Sequence, residues 1–345
     1  MTHSCTAAGI DRRNFLRLGG LAAAAVAMPT VLPGCSSSGE EGHKLIAAHN
    51  VAADDPYDIG MQKFAELVES KTDGEVTVEI HPNGALGDVP AVFQSIQQGT
   101  VDVTVASPAD IAEWAPAAQL LVLPFLVGTQ AHRTAVIESP VAQQLSDMVQ
   151  DAAGVNIMGY FGGGARNMIF NKPAESIADV AGRSFRVDTS ALLADMFAAM
   201  GLAPEPLAWG ELYGAIQQGL VDGAENELVY IDSFSMFEVA PHLLLTNHEL
   251  TFRPFVIGQK TLEGLPEDLR SAVLSAGEEA ARHESELEVV SNDEALAGLQ
   301  DKMDSIVEPP DLDAAIAAVE PLWHESAKSW GMEDALEQIL AMREV

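Results

Sequence analysis

The sequence predicts an α/β protein made of two similar lobes with a ligand cleft between them. Three observations favour this fold class. Strand and helix patterns alternate along the chain, which argues for a mainly parallel sheet flanked by helices. Residues 96–102 (IQQGTVD) and 216–222 (IQQGLVD) differ at one position of seven, so the two halves share a structural echo. The length of 345 residues suits two domains by the usual prior of roughly 150 residues each.

The echo predicts the same local structure twice. In both copies an amphipathic helical run ends at a glycine, Gly99 or Gly219, which fits the left-handed position just beyond a helix. A short strand is expected to begin at once with Val-Asp. A unit used twice in this way indicates two lobes of like construction, and clefts between domains are preferred ligand sites.

The first half of the chain alternates strand and helix. Apolar residues at helical spacing and alternating strand patterns predict a strand at 44–49, a helix at 57–71, a strand at 76–80, a helix ending at Gln98 and a strand at 101–106. Ligands on parallel sheets bind outside the carboxyl ends of strands. His49, Asn50 and Ser107 lie at or near such ends. They are therefore candidate cleft residues.

A glycine run marks the expected start of the second lobe. Residues 161–166 (FGGGAR) suit a chain crossover, and no Gly-Lys-Ser/Thr follows that would make a phosphate loop. The elements expected next are a strand at 168–171, a short helix at 177–181, a strand at 184–187 and a helix from Ser190 to a Gly201 cap. After Pro266 no proline occurs up to Asp304, and a continuous helix there would be about 57 Å long, enough to span both lobes. Helices at 312–329 and 333–342 are expected to close the chain.

The composition is strongly acidic. The chain has 51 acidic and 18 basic residues, a net charge of −33, with 48% hydrophobic residues. The hydrophobic content excludes a largely disordered chain, and the charge makes nucleic acid and anionic membrane surfaces poor partners. Because molar salt shortens the Debye length to ~3 Å and weakens self-repulsion, we interpret the charge as that of a halophile. The alternative is an ordinary acidic protein.

The N-terminus predicts export and lipid anchoring. Residues 11–17 (DRRNFLR) match a twin-arginine motif, and an uncharged run at 18–32 follows it. That run is too short to span a membrane and has the length of a signal-peptide core. It leads into Leu32-Pro33-Gly34-Cys35, which resembles a lipobox, so Cys35 is the expected lipidation site unless the cysteine is fortuitous. Residues 36–42 (SSSGEEG) are expected to form a flexible tether.

Removal of the signal peptide changes the charge and the cysteine content. The loss of Arg12, Arg13, Arg17 and Asp11 leaves 15 basic and 50 acidic residues, a net charge of −35. Cys5 is lost as well, so the mature chain would contain no disulfide and no cysteine metal ligand.

With so few cations, the position of each arginine is informative. In residues 183–188 (RSFRVD), Phe185 and Val187 point to one face of the predicted strand and Arg186 to the other. Arg186 is therefore expected to face outwards at a strand end, where a guanidinium can bind a carboxylate with two hydrogen bonds. A surface pair with Asp188 is the alternative. Arg166, directly after the glycine run, is a second candidate.

The mature chain resembles the solute receptors of tripartite ATP-independent periplasmic (TRAP) transporters, in particular C4-dicarboxylate receptors. The resemblance extends from Lys44 to the C-terminus. Its motifs, weak singly but in the right order, are FAELV at 64–68 with TDG at 72–74, PNGALG at 82–87, LPF at 123–125, ARN at 165–167, AGRSFRV at 181–187, ELY at 211–213 and VDGAEN at 221–226.

The resemblance implies a periplasmic-binding-protein-like fold and assigns roles to particular residues. Two α/β lobes, crossing strands and one long helix over both lobes are expected. Arg186 matches the arginine that forms the main salt bridge to the ligand carboxylate. Arg166 matches a secondary contact, Asn226 an amide near the carboxylate, and Trp209 an aromatic pocket wall, although a core tryptophan is an equal alternative. His49, Asn50 and Ser107 transfer weakly, and Glu227 stands where the family usually has proline.

These expectations divide the chain into four parts. Residues 1–34 form the signal peptide and 35–43 the lipidated cysteine and tether. Lobe I comprises 44–163 and 252–291, and lobe II comprises 164–251 and 292–345. The expected protein sits on the outer face of the cytoplasmic membrane, binds an organic acid and delivers it to integral TRAP subunits driven by an ion gradient.

Enzymatic functions are weaker alternatives. His242 and His248 lack a Cys or acidic partner at metal spacing, and no Gly-x-Ser-x-Gly motif occurs. We therefore expect no catalytic residues, no metal and no cofactor. A lipid-anchored hydrolase and a purely structural lipoprotein remain as alternatives.

Overall fold

The computed structural model describes residues 42–188 and 190–344. The predicted signal peptide, Cys35 and the tether up to residue 41 lie outside the described residues. The first strand begins at His43, one residue before the predicted start.

The described residues contain eleven strands in two sheets. The strands are β1 (His43–Ala48), β2 (Val76–His81), β3 (Val103–Val105), β4 (Val155–Phe161), β5 (Ala165–Phe170), β6 (Ser184–Val187), β7 (Ala203–Pro206), β8 (Gly223–Glu227), β9 (His242–Leu250), β10 (Arg253–Gly258) and β11 (Ser305–Val307). The first sheet has the order β2-β1-β3-β10-β4, and the second sheet has the order β11-β9-β5-β8-β6-β7.

Twelve α-helices of the described chain cover these sheets. They are α1 (Pro56–Lys71), α2 (Val89–Gln98), α3 (Pro108–Ile111), α4 (Gln130–Ile137), α5 (Pro140–Ala153), α6 (Ala191–Ala199), α7 (Leu212–Gln217), α8 (Leu228–Ser233), α9 (Gln259–Gly264), α10 (Glu267–Leu299), α11 (Leu312–Trp330) and α12 (Glu333–Ala341). Short 3₁₀ turns include Pro116–Val122 and Ala178–Val180.

Aromatic side chains occupy the centre of both sheets' cores. Beside the first sheet, Phe161 stacks on Phe255 at 4.5 Å between ring centroids. Beside the second, Phe185 lies 5.1 Å from Phe197. These rings are almost fully buried, so they fix the strands from which the site residues project.

Both sheets are mixed, whereas the sequence analysis expected mainly parallel sheets. Strands β1, β2 and β3 are parallel, but β10 runs antiparallel to its neighbours β3 and β4. In the second sheet β5 is antiparallel to both β8 and β9. The reversed strands adjoin the two connections between the sheets: residues 162–164 lead from β4 to β5, and residues 251–252 lead from β9 back to β10.

One long helix contacts both sheets' layers, as expected. Helix α10 has 33 residues, which corresponds to about 50 Å. It packs against α1 and β4 on the side of the first sheet and against α8 on the side of the second. It is shorter than the proline-free stretch because a turn at 300–302 intervenes before β11.

Most of the predicted elements are confirmed with shifts of one or two residues. The exceptions are local. The short helix predicted at 177–181 is a 3₁₀ turn at Ala178–Val180. Strand β5 begins at Ala165, three residues before its predicted start, whereas the strands after Gly99 and Gly219 begin within two residues of theirs, at Val103 and Gly223.

The echo has a structural basis in its aspartates. Gly99 and Gly219 both have positive φ, 80° and 71°. The Asp102 amide donates to the Ile46 carbonyl at 2.8 Å, and its carboxylate accepts from the Ile46 amide at 2.7 Å. Asp222 does the same with Ser184, at 2.8 and 3.3 Å. Each aspartate thus joins its incoming strand to the parallel neighbour, which explains why Val-Asp recurs.

Candidate ligand-binding site

Arg186 lies on β6 of the second sheet, under the ring of Trp209. Its strand neighbours Phe185 and Val187 are fully buried on one face, which confirms the predicted alternation. Arg186 is only 4% exposed, however, so the expectation that it faces outwards is wrong. Its Nε donates to the Leu207 carbonyl at 2.8 Å, and its guanidinium carbon lies 5.8 Å from the Trp209 ring centre. Burial lowers the pKa of Arg186, an effect that Glu225 and Asp188 oppose.

Arg166 is engaged by two glutamates of the adjacent strand. It lies on β5, in register with Glu227 of β8. Its Nη1 donates to Glu227 at 2.6 Å, its Nη2 donates to Glu225 at 2.8 Å, and its Nε also contacts Glu225. The Arg166 side chain is 11% exposed. Much of its hydrogen-bonding capacity is therefore used within the protein.

Arg253 connects the two sheets through Glu227. Arg253 begins β10 of the first sheet, and its Nη2 lies 3.0 Å from Glu227 of the second sheet. Its Nε donates to the Tyr57 hydroxyl at 3.1 Å, and its Nη1 lies 3.7 Å from Glu249. We call Arg166, Arg253, Glu225, Glu227 and Glu249 the ionic cluster.

Burial and charge set the protonation of this cluster. Burial alone would raise the pKa of Glu225, but Arg166 and His248 outweigh it and hold the pKa well below its usual range. Burial raises the pKa of Glu249 to about 8, against the attraction of Arg166 and Arg253. Glu225 is thus an anion at neutral pH, whereas Glu249 is largely protonated.

Asn226 lies on β8 between Glu225 and Glu227, and Trp209 lies beside Arg186. Asn226 is 8% exposed, and its Oδ1 accepts from the Glu227 amide at 3.0 Å. Trp209 is half-buried, meets Phe234 edge-on at 5.1 Å and packs against two core clusters. Trp209 thus contacts the core and also faces Arg186, and its role as a pocket wall stays a prediction.

The three first-lobe candidates have different surroundings. His49 is buried, and its Nε2 lies 2.9 Å from Asp58. Ser107 caps α3 in a capping box with Asp110. Asn50, at the end of β1, is exposed. Of these three candidates, only Asn50 is exposed.

Arg253, Glu249 and a tyrosine–aspartate contact were not predicted as site residues. The Tyr230 hydroxyl donates to Asp55 at 3.2 Å, joining α8 to the start of α1. Burial raises the pKa of Asp55 to about 6. The scarcity of cations could have drawn attention to Arg253. No local pattern marks it, because its partners lie on distant strands.

A cavity of about 780 Å³ lies away from these residues, between α4, α5, β4 and α10. None of the predicted ligand residues lines it. Arg133 on its wall donates to the Thr251 and Phe161 carbonyls and to Ser285, so its guanidinium serves the fold. Within the described residues, no group of three or more His, Cys, Asp or Glu side chains could hold a metal ion. No helix of that part of the chain is long and apolar enough to cross a membrane.

Comparison with known proteins identifies the family. The model of the bacterial extracellular solute-binding proteins, family 7, matches residues 47–329. A solute-binding protein of Sulfitobacter sp. NAS-14.1 is 37% identical over 286 residues, which cover 81% of this chain and 86% of the relative. The chain belongs to solute-binding family 7.

Solved structures of family 7 receptors have the same fold. The TRAP solute-binding protein of Sulfitobacter sp. NAS-14.1 with bound α-D-taluronate has a TM-score of 0.82 at 35% identity, covering 86% of this chain and 97% of that one. The receptor of Roseobacter denitrificans with bound L-galactonate has a TM-score of 0.78 at 28% identity, with coverages of 87% and 99%. The two sheets are therefore the two lobes of a TRAP receptor fold.

Family membership settles the broad function. Family 7 receptors are extracytoplasmic solute-binding proteins of TRAP transporters, and this chain is one of them rather than an enzyme. The hydrolase alternative has no support. The relatives differ in ligand: one from Halomonas elongata, 28% identical over 75% of this chain and 76% of its own length, is an ectoine-binding protein.

Proposed function

We propose that this receptor captures a monocarboxylate sugar acid and delivers it to its TRAP membrane subunits. The observation that carries the proposal is the contrast between the arginines. Arg186 is buried, oriented by a backbone carbonyl and set under Trp209. Arg166 and Arg253 already bind glutamates. The Arg186 guanidinium is thus suited to bind the single carboxylate of the ligand.

The relatives agree with this ligand class. Structures of similar receptors hold taluronate, L-galactonate and galactonate, the last in a protein of Advenella mimigardefordensis. Each of these ligands has one carboxylate and several hydroxyls. Carboxylates such as Asp55, half-buried where the lobes meet, are suited to accept hydrogen bonds from ligand hydroxyls.

In this proposal the site residues have separate roles. Arg186 binds the carboxylate, Asn226 supports it and Trp209 covers it. Arg166 acts as the secondary contact and orients the glutamates. His49, Asn50 and Ser107 shape the first-lobe side, with Asn50 the most accessible of the three.

Closure of the lobes completes the binding cycle. We assign residues 44–163 and 252–291 to lobe I and residues 164–251 and 292–345 to lobe II. The hinge lies at the two connections between the sheets, residues 162–164 and 251–252, which we call the crossings. Closure around the ligand removes water from the Arg186 pair. The closed form then presents a distinct surface to the membrane subunits.

The ligand class is tested by calorimetric titration at molar NaCl. D-glucuronate and D-galactonate should bind, whereas succinate and ectoine should bind at least tenfold more weakly. Native mass spectrometry of the purified protein identifies any retained ligand independently. Tighter binding of succinate would overturn the monocarboxylate assignment, and tighter binding of ectoine would overturn the sugar-acid assignment.

The location is proposed from the N-terminal motifs. The twin-arginine motif directs export, Cys35 carries the lipid, and the receptor stays on the outer face of the cytoplasmic membrane, in a halophile. Cys35→Ser should release the protein from the membrane fraction. A Cys35→Ser protein that remains there would contradict lipid anchoring.

A further inference from the structure

Two buried glutamates of α10 lie against the crossing between the lobes. Glu284 and Glu288 are one helical turn apart, and both are 0% exposed. Glu284 Oε2 accepts from the Gly162 amide at 2.7 Å, and Glu288 Oε1 accepts from the Gly164 amide at 3.0 Å. One oxygen of each carboxyl therefore binds the backbone of the β4–β5 crossing.

The second crossing is tied to the same place. The Thr251 hydroxyl lies 3.2 Å from Glu288 Oε1 and accepts from the Gly163 amide at 2.9 Å. Thr251 lies in the connection from β9 to β10. The carboxyl pair thus contacts both chain segments of the hinge proposed above.

The other oxygen of each carboxyl lacks a donor. Glu284 Oε1 and Glu288 Oε2 are buried without a hydrogen-bond partner among the described residues. Two ionised carboxylates one helical turn apart would repel each other strongly in a fully buried site. A single proton removes the repulsion and also supplies the missing hydrogen bond, because one carboxyl then donates to the other.

We propose that Glu284 and Glu288 bind one shared proton, and that the protonated pair holds both crossings against α10. Proton loss leaves two adjacent anions and weakens the attachment of the crossings. Lobe opening and ligand release should then become easier as the pH rises. The proton site is separate from the proposed solute site and makes no use of a ligand.

The charged groups around the pair agree with retention of a proton. Burial raises the pKa of both carboxyls. The Glu288 charge raises the pKa of Glu284 further, and Glu227 of β8 raises the pKa of Glu288, which the hydrogen bond with Glu284 lowers. Arg133 of α4 and Arg253 of β10 act in the opposite direction. Tyr57 of α1 also faces the site and is neutral, since burial raises its pKa well above the ordinary value.

The first test measures proton binding without ligand. A carboxyl whose pKa is raised by folding stabilises the protein below its unfolded pKa, and this contribution is lost as the pH rises through the folded pKa. The Tm of the wild type should therefore fall between pH 6 and 9 at molar NaCl. Glu284→Gln keeps an acceptor for the Gly162 amide and donates to Glu288. Its Tm should therefore fall less with pH, because folding of the variant binds about one proton fewer. Asp55 and Glu249 titrate in both proteins, so the difference reports the pair.

The control is Glu286→Gln, an exposed neighbour on the same helix, which should keep the wild-type slope. If Glu284→Gln does not fold, Glu288→Gln provides the same comparison. The infrared difference spectrum between the wild type and Glu288→Gln at pH 8 detects the protonated carboxyl of the pair, because Glu249 is present in both proteins. Equal slopes in wild type and variant, or no protonated carboxyl in the infrared difference spectrum, would overturn the proposal.

The second test follows the crossings by hydrogen exchange. In the wild type, exchange at the Gly162 and Gly164 amides should accelerate with pH more than at core amides of β5. In Glu284→Gln this excess should disappear, and in Glu286→Gln it should remain. No excess acceleration in the wild type would show that the crossings do not respond to the proton. Because neither test uses a ligand, the outcome is independent of the proposed solute.

Discussion

Arg166 and Arg186 project from strands on either side of β8 and differ in their hydrogen-bond partners. Arg166 is paired with Glu225 and Glu227, whereas Arg186 is oriented by the neutral Leu207 carbonyl. Removing a residue from a buried ion pair leaves an uncompensated charge. Removing a ligand-binding arginine leaves the empty protein largely intact. The two arginines should therefore differ in which property their substitution changes.

Arg186→Ala should weaken ligand binding with little change in the stability of the unliganded protein. Loss of one partner of a desolvated charge pair typically costs roughly 2–5 kcal/mol, which is about 30- to several-thousand-fold in Kd. Arg186→Lys should also bind more weakly because it loses the planar fork. Titration calorimetry and apo melting curves measure both effects.

The matched control is Arg183→Ala, since the Arg183 guanidinium donates to the Lys172 and Pro173 carbonyls. It should bind ligand normally. Near-wild-type affinity in Arg186→Ala would remove Arg186 from the site, and a collapsed apo fold would make it a structural residue.

Arg166→Ala should destabilise the unliganded protein. It leaves Glu225 and Glu227 buried without their main cation, and breaking one side of a buried pair typically costs about 3–5 kcal/mol. Urea unfolding at constant salt measures the change. Lys172→Ala, which breaks an exposed pair with Asp222, should cost at most about 1 kcal/mol. Equal small losses in the two variants would show that the ionic cluster contributes little to stability.

Individual residues were predictable where a local pattern placed them. The alternation around Phe185 put Arg186 on the correct face of β6, but its burial depends on Leu207 and Trp209, which approach from beyond β7. Glu227 stood out as a departure from the family pattern. Its role as a partner of Arg166 and Arg253 depends on the register of β5 against β8 and on the β9–β10 crossing, neither of which a local pattern determines.

At the scale of elements, helix and strand positions followed from spacing, and strand order did not. The periods of apolar residues located β1, α1, β2 and α2 because these elements each bury one face. The reversed strands β5 and β10 were missed because direction within a sheet is set by the crossings between lobes. The echo at 96–102 and 216–222 was also informative. Asp102 and Asp222 each join the incoming strand to its parallel neighbour, so a local sequence pattern reports a local structure.

Helix α10 lies unusually close to β4, and Gly277 makes this approach possible. A Cβ on Gly277 would lie 2.6 Å from Met158 Cβ, so Gly277→Ala forces the helix or the strand to shift. Such overpacking typically costs about 1–3 kcal/mol, which exceeds the ~1 kcal/mol that alanine gains in helix propensity. The free energy of unfolding should therefore fall.

Gly298 provides the control on the same helix. A Cβ there would meet only a carboxylate oxygen at 3.7 Å, so Gly298→Ala should leave stability unchanged or slightly raised. Urea unfolding of both variants separates the cost of overpacking from the gain in helix propensity. A stabilised Gly277→Ala would mean that α10 is not pressed against β4.

At the scale of the whole molecule, charge opposes folding while the two cores and the ionic cluster favour it. Residues 35–345 carry 50 acidic and 15 basic residues. Ion pairs such as Lys44–Glu79 and Lys172–Asp222 lie on the surface, where few cations are present to compensate the acidic groups. Much of the repulsion between surface carboxylates is therefore left to the solvent to screen.

The protein should consequently lose stability as salt is removed. The Debye length grows from ~3 Å at 1 M to ~10 Å at 0.1 M, so carboxylates on neighbouring helices begin to repel one another across the surface. The Tm should fall on dialysis from molar NaCl to about 0.1 M and recover when salt is restored. NaCl and KCl should act alike if screening is the cause, and sucrose at equal osmolality should not substitute for either. An unchanged Tm across this range would contradict the halophile interpretation, and rescue by sucrose alone would assign the effect to solvent exclusion instead of charge.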